Sequence, residues 1–163
     1  MSETYHVRIE KERLVFSAAH FITYSGDVCE PLHGHNYHVA AEVCGPLDEN
    51  HYVIDFIVLR DALQEIVDQL DHRMLLPTEH ATIRVAEQGG EVAVAHGQRR
   101  WVFPREDCVL LPVANTTAEL LARYIGQRLL EALQQRAGSR PTHVSISVDE
   151  CDGQWAACEL HNE

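Results

Sequence analysis

Two long runs of strand-forming residues, Tyr5 to Phe16 and His33 to Val43, stand near enough in the chain to pair with one another, and a polar break at Glu49-Asn50-His51 follows the second. Runs rich in β-branched and aromatic residues suit a pleated, half-buried surface, so the spacing predicts an antiparallel pair at the start of the fold. Helical periodicity comes next. Leu59, Leu63, Ile66, Val67 and Leu70 recur at intervals of three and four behind a candidate cap at Asp55, which predicts a helix ending near Leu70. A second helix is signalled by Thr116 and Glu119 as a capping box, by a stripe of Leu121, Tyr124, Ile125 and Leu129, and by Gly138 and Pro141 beyond its end. THVSISVDE then alternates apolar and polar residues, and QWAACEL follows across Asp152-Gly153, so the chain is expected to close on a second hairpin.

The order is therefore strand, strand, helix, helix, strand, strand. Residues 78–113 lie between the helices, with IRVAE and EVAVAHGQRRWVFP on either side of Gln88-Gly89-Gly90, and read as an inserted hairpin that enlarges a subunit contact or decorates the surface, or with Arg84, Arg99, Arg100 and Trp101 covers the site or contacts phosphate. At 163 residues, without repeat or linker, residues 1–163 are expected to form a single domain. The amino terminus lacks the basic-then-apolar order of a secretory signal and no apolar run is long enough to span a bilayer, so a cytoplasmic location is the expectation. A formal net charge of -12 disfavours nucleic acid as a partner, because such affinity rests on clustered Lys and Arg. Five scattered cysteines with no CxxC pair suit reduced thiols.

The segment Cys29-Glu30-Pro31-Leu32-His33-Gly34-His35-Asn36-Tyr37 carries the chemistry. In a strand, side chains alternate faces, so His33 and His35 share one face and can hold one ion. Pairing of the first two strands brings His20, at the end of Phe16-Ser17-Ala18-Ala19-His20, beside them. Three imidazoles leave one position open, the arrangement of a catalytic zinc. Cys29, in the loop ahead, reads as a base or nucleophile activated by a nearby cation, as a fourth ligand, or as a plain loop thiol. Asp71 is adjacent to His72 and can orient it for proton transfer. Glu150, at the end of the alternating strand, can accept two parallel N–H bonds from an aminopyrimidinone ring, or be a solvated turn acid. His6, His38, His51, His80, His96, His143 and His161 have no partners at matched spacing and are assigned no role.

Taken together, FSAAHF (16–21), CEPLHGHNY (29–37), VIDF (53–56), LDHRML (70–75), NTTAELLARYI (115–125) and VDE (148–150) resemble the 6-pyruvoyl-tetrahydropterin synthase family, including the bacterial 6-carboxytetrahydropterin synthases. The resemblance implies an α+β tunnelling fold: a four-stranded antiparallel sheet with two helices between its second and third strands, trimerised into a barrel and stacked into a hexamer. It implies zinc on His20, His33 and His35, Cys29 as the proton-abstracting residue, and Asp71 with His72 as an acid/base pair reaching the cysteine of a neighbouring subunit. It further implies Glu150 as the pterin anchor and Thr117 near the pterin. The implied substrate is 7,8-dihydroneopterin triphosphate. Its conversion to 6-carboxy-5,6,7,8-tetrahydropterin releases acetaldehyde and triphosphate, on a route to queuosine and other deazapurines. Cys29 precedes His33 by four positions, as in the 6-carboxy branch. Glu30 departs from that pattern, because one branch uses a glutamate in this loop to form 6-hydroxymethyl-dihydropterin for folate. Triphosphate elimination to the pyruvoyl pterin, a cyclohydrolase acting on GTP and a noncatalytic zinc protein are the other readings.

Overall fold

A computed structural model describes residues 3–137 and 141–162. Strand β1 (Tyr5–His20) pairs antiparallel with β4 (His33–Gly45), and a two-stranded ribbon of β2 (Thr23–Tyr24) and β3 (Val28–Cys29) bridges them. Helix α1 (Phe56–Leu70) follows, started by Asp55, whose side chain accepts from the Ile57 amide as expected of a cap. Next come β5 (Arg73–Pro77), β6 (Arg84–Gln88), β7 (Glu91–His96), β8 (Arg99–Pro104) and β9 (Cys108–Leu111). Helix α2 (Ala118–Ala137) and the hairpin of β10 (His143–Cys151) and β11 (Gln154–His161) complete the chain.

The sheet corrects the expectation of four strands. Its order is β11-β10-β4-β1-β5-β9, in which the first four are the expected antiparallel set and β5 and β9 extend it in parallel. Met74, Leu75 and Leu76 of β5 are all buried, so the strand carries no alternation and gives no period-two signal in the sequence. The inserted hairpin is likewise a three-stranded antiparallel sheet, β6-β7-β8, turned at Gly89-Gly90, whose positive φ angles of 59° and 84° suit a tight hairpin. The α2 cap differs by one residue: Thr117, not Thr116, lies before the first helical residue and its Oγ1 accepts from the Leu120 amide at 3.5 Å. Gly138 lies outside the described residues.

Both helices pack on one face of the sheet. Leu59, Leu63 and Leu70 of α1 and Leu121, Ile125 and Leu129 of α2 meet Tyr37, Val39, Ala41, Ile146 and Val148 in a single core. Burying each such large apolar side chain contributes on the order of 1.5–3 kcal/mol. Phe16 and Tyr37 stack at 4.7 Å where this core approaches the His20 end of the sheet. A second core joins the insertion to that end: Phe21, Met74, Leu76, Ile83, Val92 and Val94 are buried together, and Phe21 stacks on Trp101 at 4.5 Å. The insertion therefore packs onto the end of the sheet that carries the histidines. No helix among the described residues is long and apolar enough to cross a membrane.

Candidate active site

Antiparallel pairing sets His20 opposite His33 and Ala18 opposite His35, which gathers three imidazoles at one end of β1 and β4. Their ring centroids are 4.7–5.3 Å apart, and one donor nitrogen from each lies within 4.8 Å of the other two. Gly34 between the two histidines is a close-approach position: a Cβ there would sit 3.0 Å from the Ala18 carbonyl oxygen.

The ring orientations are fixed by the main chain. His20 Nδ1 is 2.9 Å from the Thr116 carbonyl and His33 Nδ1 is 2.9 Å from the Pro31 carbonyl. A carbonyl only accepts, so each Nδ1 carries the proton and each Nε2 presents a lone pair. His20 is 1% exposed and its Nε2 has no hydrogen-bond partner among the described residues. Burial lowers its pKa to about 4, with the neighbouring His33 and His35 acting in the same direction and the Thr116 carbonyl and Glu30 opposing. A neutral imidazole with an unpaired, buried lone pair beside two others fits a divalent cation of the zinc class.

Glu150 borders this cluster, its Oε1 at 3.4 Å from His20 Nε2 and 3.8 Å from His35 Nε2. Two-residue alternation along β10 sets it on the face of Val148, which pairs with Val39 and so shares the face of His33 and His35. Tyr37 closes the floor, fully buried, with its ring edge-on to His20 and His35 and its hydroxyl unpartnered among the described residues.

Cys29 ends β3, and Glu30, directly after it, reaches the cluster at His33. Glu30 is held in place: its Oε1 accepts from the Ile22 amide at 2.8 Å, its own amide donates to the Ile22 carbonyl, and the same Oε1 lies 3.8 Å from His33 Nδ1. Cys29 is half-buried, with its Sγ 3.5 Å from the Glu30 carbonyl. Burial raises its pKa, Glu30 and Asp27 add to the rise, and Arg99 opposes it, so the thiol is the resting form without a cation nearby.

Arg99 of the insertion, read in the sequence as able to cover the site or contact phosphate, grips the Cys29 loop. From β8 its Nη1 donates to the main-chain carbonyls of Cys29 at 2.9 Å and Glu30 at 3.0 Å, while its guanidinium lies over Trp101 at 4.7 Å. His80 and His96, without an assigned role in the sequence, brace the same ribbon through Thr23 Oγ1 at 2.7 Å and Asp27 Oδ1 at 2.8 Å. The signal for Arg99 was the clustering of Arg99, Arg100 and Trp101 in the insertion.

Asp71 and His72 do touch. Asp71 Oδ2 is 2.8 Å from His72 Nδ1, and its Oδ1 accepts from the Ser17 amide at 2.7 Å. His72 adopts a positive φ of 55° and its side chain is 82% exposed. An open groove of about 650 Å³ runs from His35 past Ser17 and Asn36 to His72 and Arg73. Among the described residues no hydrogen bond or ion pair joins the dyad to Cys29 or to the three histidines. Thr117 serves the cap of α2, next to Thr116, whose carbonyl holds His20.

Residues 8–161 match the family model described as 6-pyruvoyl tetrahydropterin synthase. A Methanocaldococcus jannaschii protein provisionally named 6-carboxy-5,6,7,8-tetrahydropterin synthase is 31% identical over 92% of each chain. An Aquifex aeolicus protein named 6-carboxy-5,6,7,8-tetrahydropterin synthase is 27% identical over 77% of this chain and 75% of its own. Among solved structures, a 6-pyruvoyltetrahydropterin synthase of Plasmodium vivax, in a form with a catalytic glutamate replaced by alanine, superposes with a TM-score of 0.89. It is 27% identical over 99% of this chain and all of its own.

Proposed function

Because the chain belongs to the 6-pyruvoyl tetrahydropterin synthase family, we propose that it converts 7,8-dihydroneopterin triphosphate and water into 6-carboxy-5,6,7,8-tetrahydropterin, acetaldehyde and triphosphate, in the route to queuosine and other deazapurines. The observation that carries this reading is the trio of converging imidazoles with Glu150 beside it, within 3.4–3.8 Å of two of them. His20, His33 and His35 would hold a zinc ion, which would supply a Lewis acid for the substrate's side-chain oxygens and so acidify the adjacent C–H.

Each residue of the chain then has a task. Glu150 accepts N–H bonds from the pterin ring and so holds the attached three-carbon side chain against the metal position. Cys29 removes the acidified proton, and Glu30, tied to Ile22, keeps that loop in register. Asp71 fixes the Nδ1 proton of His72, leaving Nε2 free to take up and return a proton. Among the described residues no hydrogen bond or ion pair joins the dyad to Cys29, which suits a site completed by the dyad of a neighbouring copy in a trimer or hexamer of tunnelling-fold subunits. Thr117 supports the Thr116 turn that orients His20, near the ring.

A second reading rests on Glu30, whose carboxylate lies 3.8 Å from His33. The Plasmodium vivax relative has a catalytic glutamate by its description, and a glutamate base here gives 6-hydroxymethyl-dihydropterin instead. The test is product analysis by mass spectrometry after the zinc-loaded chain meets 7,8-dihydroneopterin triphosphate. Acetaldehyde with the 6-carboxy pterin supports the first reading, a 6-hydroxymethyl pterin the second, and no turnover a noncatalytic protein.

A further inference from the structure

We propose that His6, Glu42 and Cys44 form a second binding site for a divalent transition metal of the zinc class, on the helix-free face of the sheet, with His143 as its fourth donor. The strand registers build it. His6 of β1 pairs with Cys44 of β4, and Cys44 pairs in turn with His143 of β10, so the three side chains form one row across three strands. Glu42 joins the row's face two residues before Cys44. The site stands apart from the first: from residue 33 to residue 44 is roughly 35 Å along β4, and the two clusters occupy opposite faces.

The donor atoms converge. Cys44 Sγ is 2.9 Å from His6 Nδ1 and 3.4 Å from His143 Nδ1, and His6 Nδ1 is 3.0 Å from Glu42 Oε1. The donor atoms of His6, Glu42 and Cys44 all lie within 4.8 Å of one another. Ligands on a tetrahedral zinc stand roughly 3.3–3.6 Å apart, given Zn–S of about 2.3 Å and Zn–N of about 2.0 Å, so only small side-chain adjustments seat the ion.

Without an ion the cluster is poorly satisfied. One imidazole nitrogen faces both a sulfur and a carboxylate oxygen. If Nδ1 carries the proton, that single N–H serves two acceptors; if it accepts from the thiol, its lone pair faces the carboxylate. Among the described residues Glu42 has no Lys or Arg partner, and the buried Nε2 of His143 has no hydrogen bond. Cys44 is 3% exposed, a setting in which a thiolate needs a cation. One thiolate, imidazoles and a carboxylate suit zinc, cobalt or nickel better than magnesium or calcium.

The test is cobalt binding to the metal-stripped full chain. Cobalt on a thiolate gives an intense near-ultraviolet charge-transfer band, whereas three imidazoles give none. Two cobalt ions per chain are expected, one with that band. Cys44→Ser should lose the band and one ion while retaining the other, and the double variant His33→Ala/His35→Ala should lose one ion and keep the band. Should Cys44→Ser fail to fold, His6→Ala, half-exposed and outside the core, should weaken the band-forming event at least about tenfold. Absence of the band, a band that survives Cys44→Ser, or a band-forming affinity unchanged in His6→Ala overturns the proposal, whereas a single ion that carries the band and is lost in Cys44→Ser supports it and counts against the three-histidine site.

Discussion

The imidazole of His20 donates its Nδ1 proton to the main-chain carbonyl of Thr116, 2.9 Å away and 96 residues along the chain. That bond links the end of β1 to the start of α2 and selects the nitrogen turned toward His33 and His35. Zinc affinity should therefore depend on all three rings. His33→Ala or His35→Ala should reduce bound zinc by 100-fold or more in affinity on general grounds of ligand loss, measured by competition with a chelator. Because His33 is exposed and His35 half-exposed, the fold should survive both substitutions, as circular dichroism will check.

Acid should destabilise the metal-free chain through His20. Its folded pKa, about 4, lies below the ordinary value of 6.5 because burial disfavours the cation. The unfolded chain thus binds more protons between these values, so stability falls as the pH drops from about 6.5 to 4 and levels off below. The loss is on the order of 3 kcal/mol at most. Chemical denaturation of the stripped protein at pH 7 and pH 4.5 will measure it, and His20→Gln should flatten the dependence.

Arg99 should act on the rate and not on the metal. With its two hydrogen bonds to the Cys29 and Glu30 carbonyls removed, Arg99→Ala should leave zinc content unchanged and lower kcat by about tenfold, the cost of roughly 1.4 kcal/mol of lost positioning. Arg99→Lys should recover part of that loss. A variant with normal kcat would show that the ribbon needs no brace from the insertion.

His72 separates chemistry from folding. Its positive φ is a conformation that glycine adopts without steric cost, and its side chain is exposed. His72→Gly should therefore retain or slightly raise thermal stability while abolishing turnover. His72→Val, β-branched in the same conformation, should lower stability by about 1 kcal/mol or more.

Much of this was legible in the sequence, for identifiable reasons. His33 and His35 share a face by the two-residue period of a strand, and His20 follows from pairing consecutive strands. Asp55 announced α1 by its side-chain chemistry. Strands β5 and β9 were not legible, because buried runs such as Met74-Leu75-Leu76 lack alternation. The grip of Arg99 on residue 29 spans 70 positions and depends on how the insertion packs. The pairing of His6 with Cys44 was hidden for a different reason: the register slips between Glu10 and Val15, so counting back from His20 and His33 does not give it.

In the proposed reaction Cys29, and not Glu30, is the working base beside the three histidines. The most direct test compares the products of zinc-loaded wild type, Cys29→Ala and Glu30→Ala acting on 7,8-dihydroneopterin triphosphate. The expected result is acetaldehyde and 6-carboxytetrahydropterin from the wild type, lost by at least about 100-fold in Cys29→Ala and retained in part by Glu30→Ala. A 6-hydroxymethyl pterin that persists without Cys29 and vanishes without Glu30 would contradict the claim and make the glutamate the base.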